Sequence, residues 1–233
     1  MTTQQASRPD GILYFIGGQL LFEHHNAHGA VVRKCLSPEA ARQAFTDQQT
    51  DSGWLSPHTI RCGESERGPW VIQRYEPAQY RITLEEAIPV DGQDTPLRTL
   101  QVWLPGMVFL GSHKDYYLWT YRTWKRNETT LYHAPVPNVR ANGHICFGHN
   151  RPPVAAADTI DKTWNLFWQS PFNHDLASNK SRQYPNSILT LLATLHRTEN
   201  DPLTAYPHDD LKRSSMTIPE IIRQLTPRTT IEH

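Results

Sequence analysis

Residues 132–149 read YHAPVPNVRANGHICFGH and bring together a thiol, a side-chain amide and three imidazoles. Cys146 is the candidate nucleophile and Asn138 the candidate donor to a developing oxyanion, which are the minimum parts of acyl-thioester chemistry. The spacing permits the encounter: Asn138 follows a proline, Asn142-Gly143 makes a turn, and the chain comes back past the bend at Cys146. A free thiol titrates near ~8.5, so only a small fraction is thiolate at neutral pH unless a neighbour helps. His133, His144 and His149 are close in sequence, and a protonated imidazole beside the sulfur would supply that help. The same residues admit two other readings. Free cysteine is among the most buried residue types and asparagine often caps its own loop, so the stretch also reads as a tight structural loop. His133, His144, Cys146 and His149 also offer soft and borderline zinc ligands, although no second cysteine accompanies them there.

The register of Pro137-Asn138-Val139, Asn142-Gly143 and Ile145-Cys146 resembles the active-site segment of ubiquitin-conjugating enzymes. In that family a His-Pro-Asn tripeptide precedes the catalytic Cys, with an Asn-Gly turn between them. Val136 stands where the tripeptide's His would be, and that His is assigned a structural role in holding the loop. The wider pattern adds a Trp-rich helix and Phe172-Asn173-His174, and it is similar to the bacterial conjugating-enzyme-like family called PRTRC system protein B over about residues 97–195. The resemblance implies an α+β fold and a modifier carried as a thioester on Cys146. It assigns Asn138 to the transfer step and adds His174 as a site residue. The partners it implies are a ThiF-type activating enzyme and a ubiquitin-like protein, with no cofactor. Conjugating enzymes need little thiolate activation because the incoming thioester is already energised, so a neighbouring His is optional.

Positioning such a loop requires a sheet before it and helices after it. Residues 97–104, 107–110 and 116–123 read as an antiparallel meander, with aromatic and branched runs broken by Pro-Gly and Gly-Ser. The prolines at 152 and 153 exclude a helix directly after Cys146. Ile160, Trp164, Phe167 and Trp168 share a helical face over 158–169, and Ile188 to Leu195 carry a second over 185–196. Upstream, residues 11–23 predict a hairpin about Gly17-Gly18, with a third strand at 30–34 and a helix opened by Ser37-Pro38-Glu39 and running to about Gln48. Residues 49–68 read as a loop around a Trp54-Leu55 anchor, and 70–75 with 79–84 as a pair of strands. His24, His25 and His28 beside Cys35 read as structural or exposed.

The expected division is an N-terminal α+β extension over 1–92, a ubiquitin-conjugating-like core over 93–198, and a C-terminal tail over 199–233 with one helical turn at 219–225. A chain of 233 residues, 38% of them hydrophobic, can bury a core of that size. The 23 basic and 23 acidic residues cancel, leaving no electrostatic footprint for nucleic acid or a membrane surface. Three scattered cysteines argue against a disulfide framework, and with no signal pattern or long apolar run the expected location is the cytoplasm. Three functions compete on this reading: thioester carriage and transfer of a ubiquitin-like protein, an inactive conjugating-fold module that binds the same partners, and a zinc site.

Overall fold

In the computed structural model the residues described are 11–17, 19–26, 28–38, 40–41, 53–65, 67–90, 92–196 and 205–225. The chain forms two compact units, residues 1–52 and 53–233. In the first, strands β1 (Gly11–Ile16) and β2 (Gln19–His25) pair antiparallel around Gly17, whose φ of 57° suits a tight turn, and β3 (Val31–Leu36) joins β2. This is the hairpin and third strand that the sequence predicts. Ser37 caps the following turn, its Oγ accepting from the Ala40 amide at 3.0 Å. The rest of the predicted helix, from Arg42 to Gln48, lies outside the described residues.

In the second unit, β4 (Thr59–Ser65) and β5 (Gly68–Tyr75) form a hairpin, followed by β6 (Ala78–Ile88), β7 (Leu97–Leu104), β8 (Gly106–Ser112), β9 (Asp115–Tyr121) and β10 (Thr130–His133). Helices α1 (Ile160–Gln169) and α2 (Ile188–Thr194) come next, then β11 (Arg213–Thr217) and α3 (Ile218–Leu225). Six strands make an antiparallel sheet in the order β11-β10-β9-β8-β5-β4. The architecture is α+β.

Four expectations change. The loop at 49–68 contains β4, an edge strand whose side chains are almost all exposed, so it lacks the alternation that marks a half-buried strand. Trp54 is 99% exposed and anchors nothing. The strands at 70–75 and 79–84 do not pair with each other, nor do β7 and β8. Instead, β5 pairs with β8 and β6 with β7 in one continuous register, Tyr75 opposite Met107 and Ala78 opposite Leu104. Pro77 therefore falls opposite Pro105, and neither can donate a ladder hydrogen bond. The result is one long ribbon interrupted at facing prolines.

The central strands are buried on both faces. Val71, Phe109, Tyr116 and Leu118 turn to a core that contains α1 and α2. Ile72, Val108, Leu110 and Trp119 turn to the other, against Ile218 and Ile221 of α3. Trp164 of α1 stacks on Tyr75 at 3.7 Å between ring centroids. The hydroxyl of Tyr75 donates to Gln73 Oε1 (2.8 Å), and Gln73 Nε2 donates to Asp161 of α1 (2.5 Å). The helix is fixed to the sheet by apolar burial and by a satisfied polar chain. The C-terminal stretch has a definite place: β11 is an edge strand paired with β10, and the helical turn expected near 219–225 is α3.

Candidate functional site

The loop that carries Asn138 and Cys146 is an excursion from the edge of β9. At Thr120 and Trp119 that edge pairs with Tyr132 and His133 of β10. Further along, β10 has left, and Tyr117 pairs with His144 instead. Between the two, the chain runs through Ala134-Pro135-Val136-Pro137, bends at Asn138, turns at Asn142-Gly143 and returns. The returning arm is pinned by Ile145 N–H donating to Tyr116 O and Leu118 N–H donating to Gly143 O, both at 2.8 Å.

The turn is locally encoded. Gly143 has a φ of 90°, its N–H donates to Arg140 O at 2.8 Å, and the Asn142 side-chain oxygen accepts from His144 N–H at 3.0 Å. A Cβ on Gly143 would lie 2.4 Å from the Trp119 indole, so the position needs glycine for space as well as for conformation. Asn138 has a φ of 60°, the left-handed region that asparagine tolerates better than most residues.

The two arms meet where the spacing predicts. Val139 bridges Ile145, and Cys146 N–H donates to Asn138 O at 2.8 Å. Ile145 is buried below, and Phe147 packs edge-on against Tyr116 and Phe167. Cys146 sits between these anchored neighbours with its thiol exposed, which removes the reading of a buried structural cysteine. The Asn138 amide nitrogen donates to Pro171 O across 3.5 Å, a long bond, while its Oδ1 is buried without a partner.

His174 belongs to a segment that touches the loop through its neighbour: Asp175 O accepts from Asn138 N–H at 3.0 Å. Phe172 is tied to β6 by bonds to Thr83 and Glu85, so this segment lies between β6 and Asn138. His174 is exposed and borders a cavity of about 200 Å³ together with Glu85, Glu86, Phe172 and Asp175.

The remaining histidines are dispersed. His144 lies 3.4 Å from Asp115 Oδ1 and edge-on to Tyr117, and His149 is exposed. His133 is half-buried, and burial, then the charges of Lys180 and Lys212, hold its pKa below the ordinary value. Among the described residues no three His, Cys, Asp or Glu side chains converge as metal ligands. One group at the site carried no signal in the sequence. Lys180 is buried, and its ammonium donates to Val139 O at 2.6 Å and to Ala134 O at 3.4 Å. It sits in the irregular stretch Asn179-Lys180-Ser181, where no periodicity marks it as an inward-facing position.

No described helix is long and apolar enough to cross a membrane. No curated protein and no solved structure matches the chain significantly. A family model does, over residues 33–214, which include both the Pro-Asn loop and the helices behind it. The chain belongs to prokaryotic E2 family D.

Proposed function

We propose that this protein receives a ubiquitin-like modifier on Cys146 as a thioester and transfers it to an amine. The observation that carries the reading is the backbone bond from Cys146 N–H to Asn138 O, which holds an exposed thiol directly beside the Pro-Asn bend. In loading, the Cys146 sulfur attacks the carbonyl of a thioester on an activating enzyme of the ThiF type. A new C–S bond forms, the old one breaks, and the enzyme's thiol leaves. In discharge, the acceptor amine attacks the same carbonyl: a C–N bond forms, the C–S bond breaks, and the amine's proton is released as the sulfur leaves. Asn138 supplies an amide donor for the oxyanion of that step once its weak bond to Pro171 is exchanged for one to the substrate. On the side of His174, the carboxylates of Glu85, Glu86 and Asp175 attract a cationic amine acceptor.

The finer grouping with PRTRC system protein B, a cytoplasmic location and a conjugating-like core over 93–198 belong to the same proposal, supported by the PNV…NGHIC segment and by the family. The alternative is an inactive module that binds the same partners. It draws on Val136, which is fully buried and apolar where conjugating enzymes carry His.

Incubation with a cognate activating enzyme, ATP and modifier separates the two. A thiol-sensitive adduct is expected in wild type and in Cys35→Ala, and none in Cys146→Ala. Asn138→Gly keeps the left-handed backbone without the amide, so it is expected to load normally and discharge about 10²–10³-fold more slowly. An adduct that persists in Cys146→Ala rules the reading out.

A further inference from the structure

The loop from 134 to 139 is gripped on one side by residues 172–187 through two polar contacts. The first is the bond from Asn138 N–H to Asp175 O; the second is Lys180. Lys180 is 2% exposed, and its ammonium holds the outgoing arm of the loop on both sides of the Pro-Asn bend: Ala134 O before it and Val139 O after it. Among the described residues no carboxylate forms an ion pair with it, and its ammonium bonds to these carbonyls instead. Its own backbone is fixed on either side. Asn179, at a φ of 63°, donates to Pro185 O at 2.6 Å, and Ser181 bridges Leu211 while its hydroxyl donates to Asp210 at 2.8 Å. A buried unpaired cation is a cost to stability, and here burial lowers the pKa to about 8, which still leaves the group charged at neutral pH. The charge is concentrated on one task, since hydrogen bonds from a charged donor are the stronger kind.

We propose that Lys180 is the positioning residue of the Pro-Asn loop, clamping the outgoing arm on either side of Asn138 so that Asn138 keeps its place against Cys146 during transfer. It takes over the loop-holding role that Val136, with no polar atom in its side chain, cannot perform. The proposal rests on the thioester reading for its consequence in transfer, and on geometry alone for the clamp.

The test uses the full chain with Cys35→Ser and Cys62→Ser, which leaves Cys146 as its single thiol. Cys146 is acetylated with S-acetyl-N-acetylcysteamine, and the acyl group is discharged to free lysine. Lys180→Met is compared with Lys180 in this background, and amide exchange is followed at Asn138, Cys146 and, as a reference, Phe109 in β8. In Lys180→Met, exchange at Asn138 and Cys146 is expected to rise roughly tenfold to a hundredfold, the loss of one charged hydrogen bond. Phe109 should be unchanged, acetylation should reach the same yield, and discharge should slow at least tenfold. Unchanged exchange in the loop, or a rise shared equally by Phe109, overturns the clamp, because a merely structural lysine would shift all amides together. Lys180→Gln, which keeps a shorter uncharged donor, is read the same way if the Met variant does not fold. Should the Lys180 form discharge no faster than the small thioester in solution, the transfer reading fails while the exchange data still decide the clamp.

Discussion

Lys180 keeps a positive charge in a buried place, and the consequence is measurable as a pH dependence of stability. Below about pH 8 the ammonium is protonated in both the folded and the unfolded chain, and the folded state bears its full desolvation cost. Between about 8 and the ordinary value of 10.5, the unfolded chain holds a proton that the folded chain has released. Unfolding then takes up a proton, so stability rises with pH across that window. The complete gain is on the order of 3 kcal/mol. His133 is the titratable neighbour electrostatically linked to Lys180; its depressed pKa leaves it neutral throughout the window. Urea unfolding at pH 7.5 and 10.5 should therefore show the wild-type protein gaining stability relative to Lys180→Met. Tyrosines and the other lysines titrate in both proteins and cancel in the difference. Equal changes in the two would mean that the ammonium is not desolvated in solution.

At the scale of elements, what the sequence made legible was local, and what it hid was pairing. The turn at Asn142-Gly143 could be read because two residues encode it, one by a side-chain oxygen and one by a left-handed backbone. The aromatic stripe of α1 could be read because Ile160, Trp164 and Phe167 recur at helical spacing. The partners of β5 and β7 could not be read. Pro105-Gly106 looks like a hairpin turn, but Pro105 sits opposite Pro77 inside a single ribbon, and only the register shows it. β4, with its exposed side chains, and β10, with four residues, were too weakly patterned to appear as strands. The site followed the same rule: Cys146 and Asn138 are joined by a local loop and were found, whereas Lys180 reaches that loop from about forty residues away and was not. The turn also yields a test of how the loop is seated. Gly143→Ala adds a Cβ against the Trp119 indole and forces a left-handed alanine, two strains expected to cost about 1–3 kcal/mol together. Chemical denaturation should show that loss, accompanied by a change in tryptophan fluorescence. A variant as stable as wild type would mean that the turn lifts off Trp119 without cost.

At the scale of the whole molecule, every contact invoked for the loop lies within residues 53–233. β9 and β10 bracket the excursion, residues 172–187 grip it, and β11 completes the sheet edge beside β10. Both hydrophobic cores are likewise built from residues after 53, whereas residues 1–52 form their own compact unit around the β1–β3 sheet. The family match begins at residue 33, inside β3, so membership of the family does not itself say which unit the chemistry needs. Burial does: a polypeptide of 53–233 retains the apolar area that stabilises the loop's supports. Such a polypeptide is therefore expected to unfold cooperatively, with a midpoint within a few degrees of the corresponding transition in the full chain. Its Cys146 should be alkylated at the same rate as in the full chain, because the bond that holds Cys146 to Asn138 O is made within residues 53–233. Calorimetry and iodoacetamide kinetics on the two proteins check both statements. A non-cooperative transition in the shorter protein, or a thiol that reacts several-fold faster there, would show that residues 53–233 do not hold the loop by themselves.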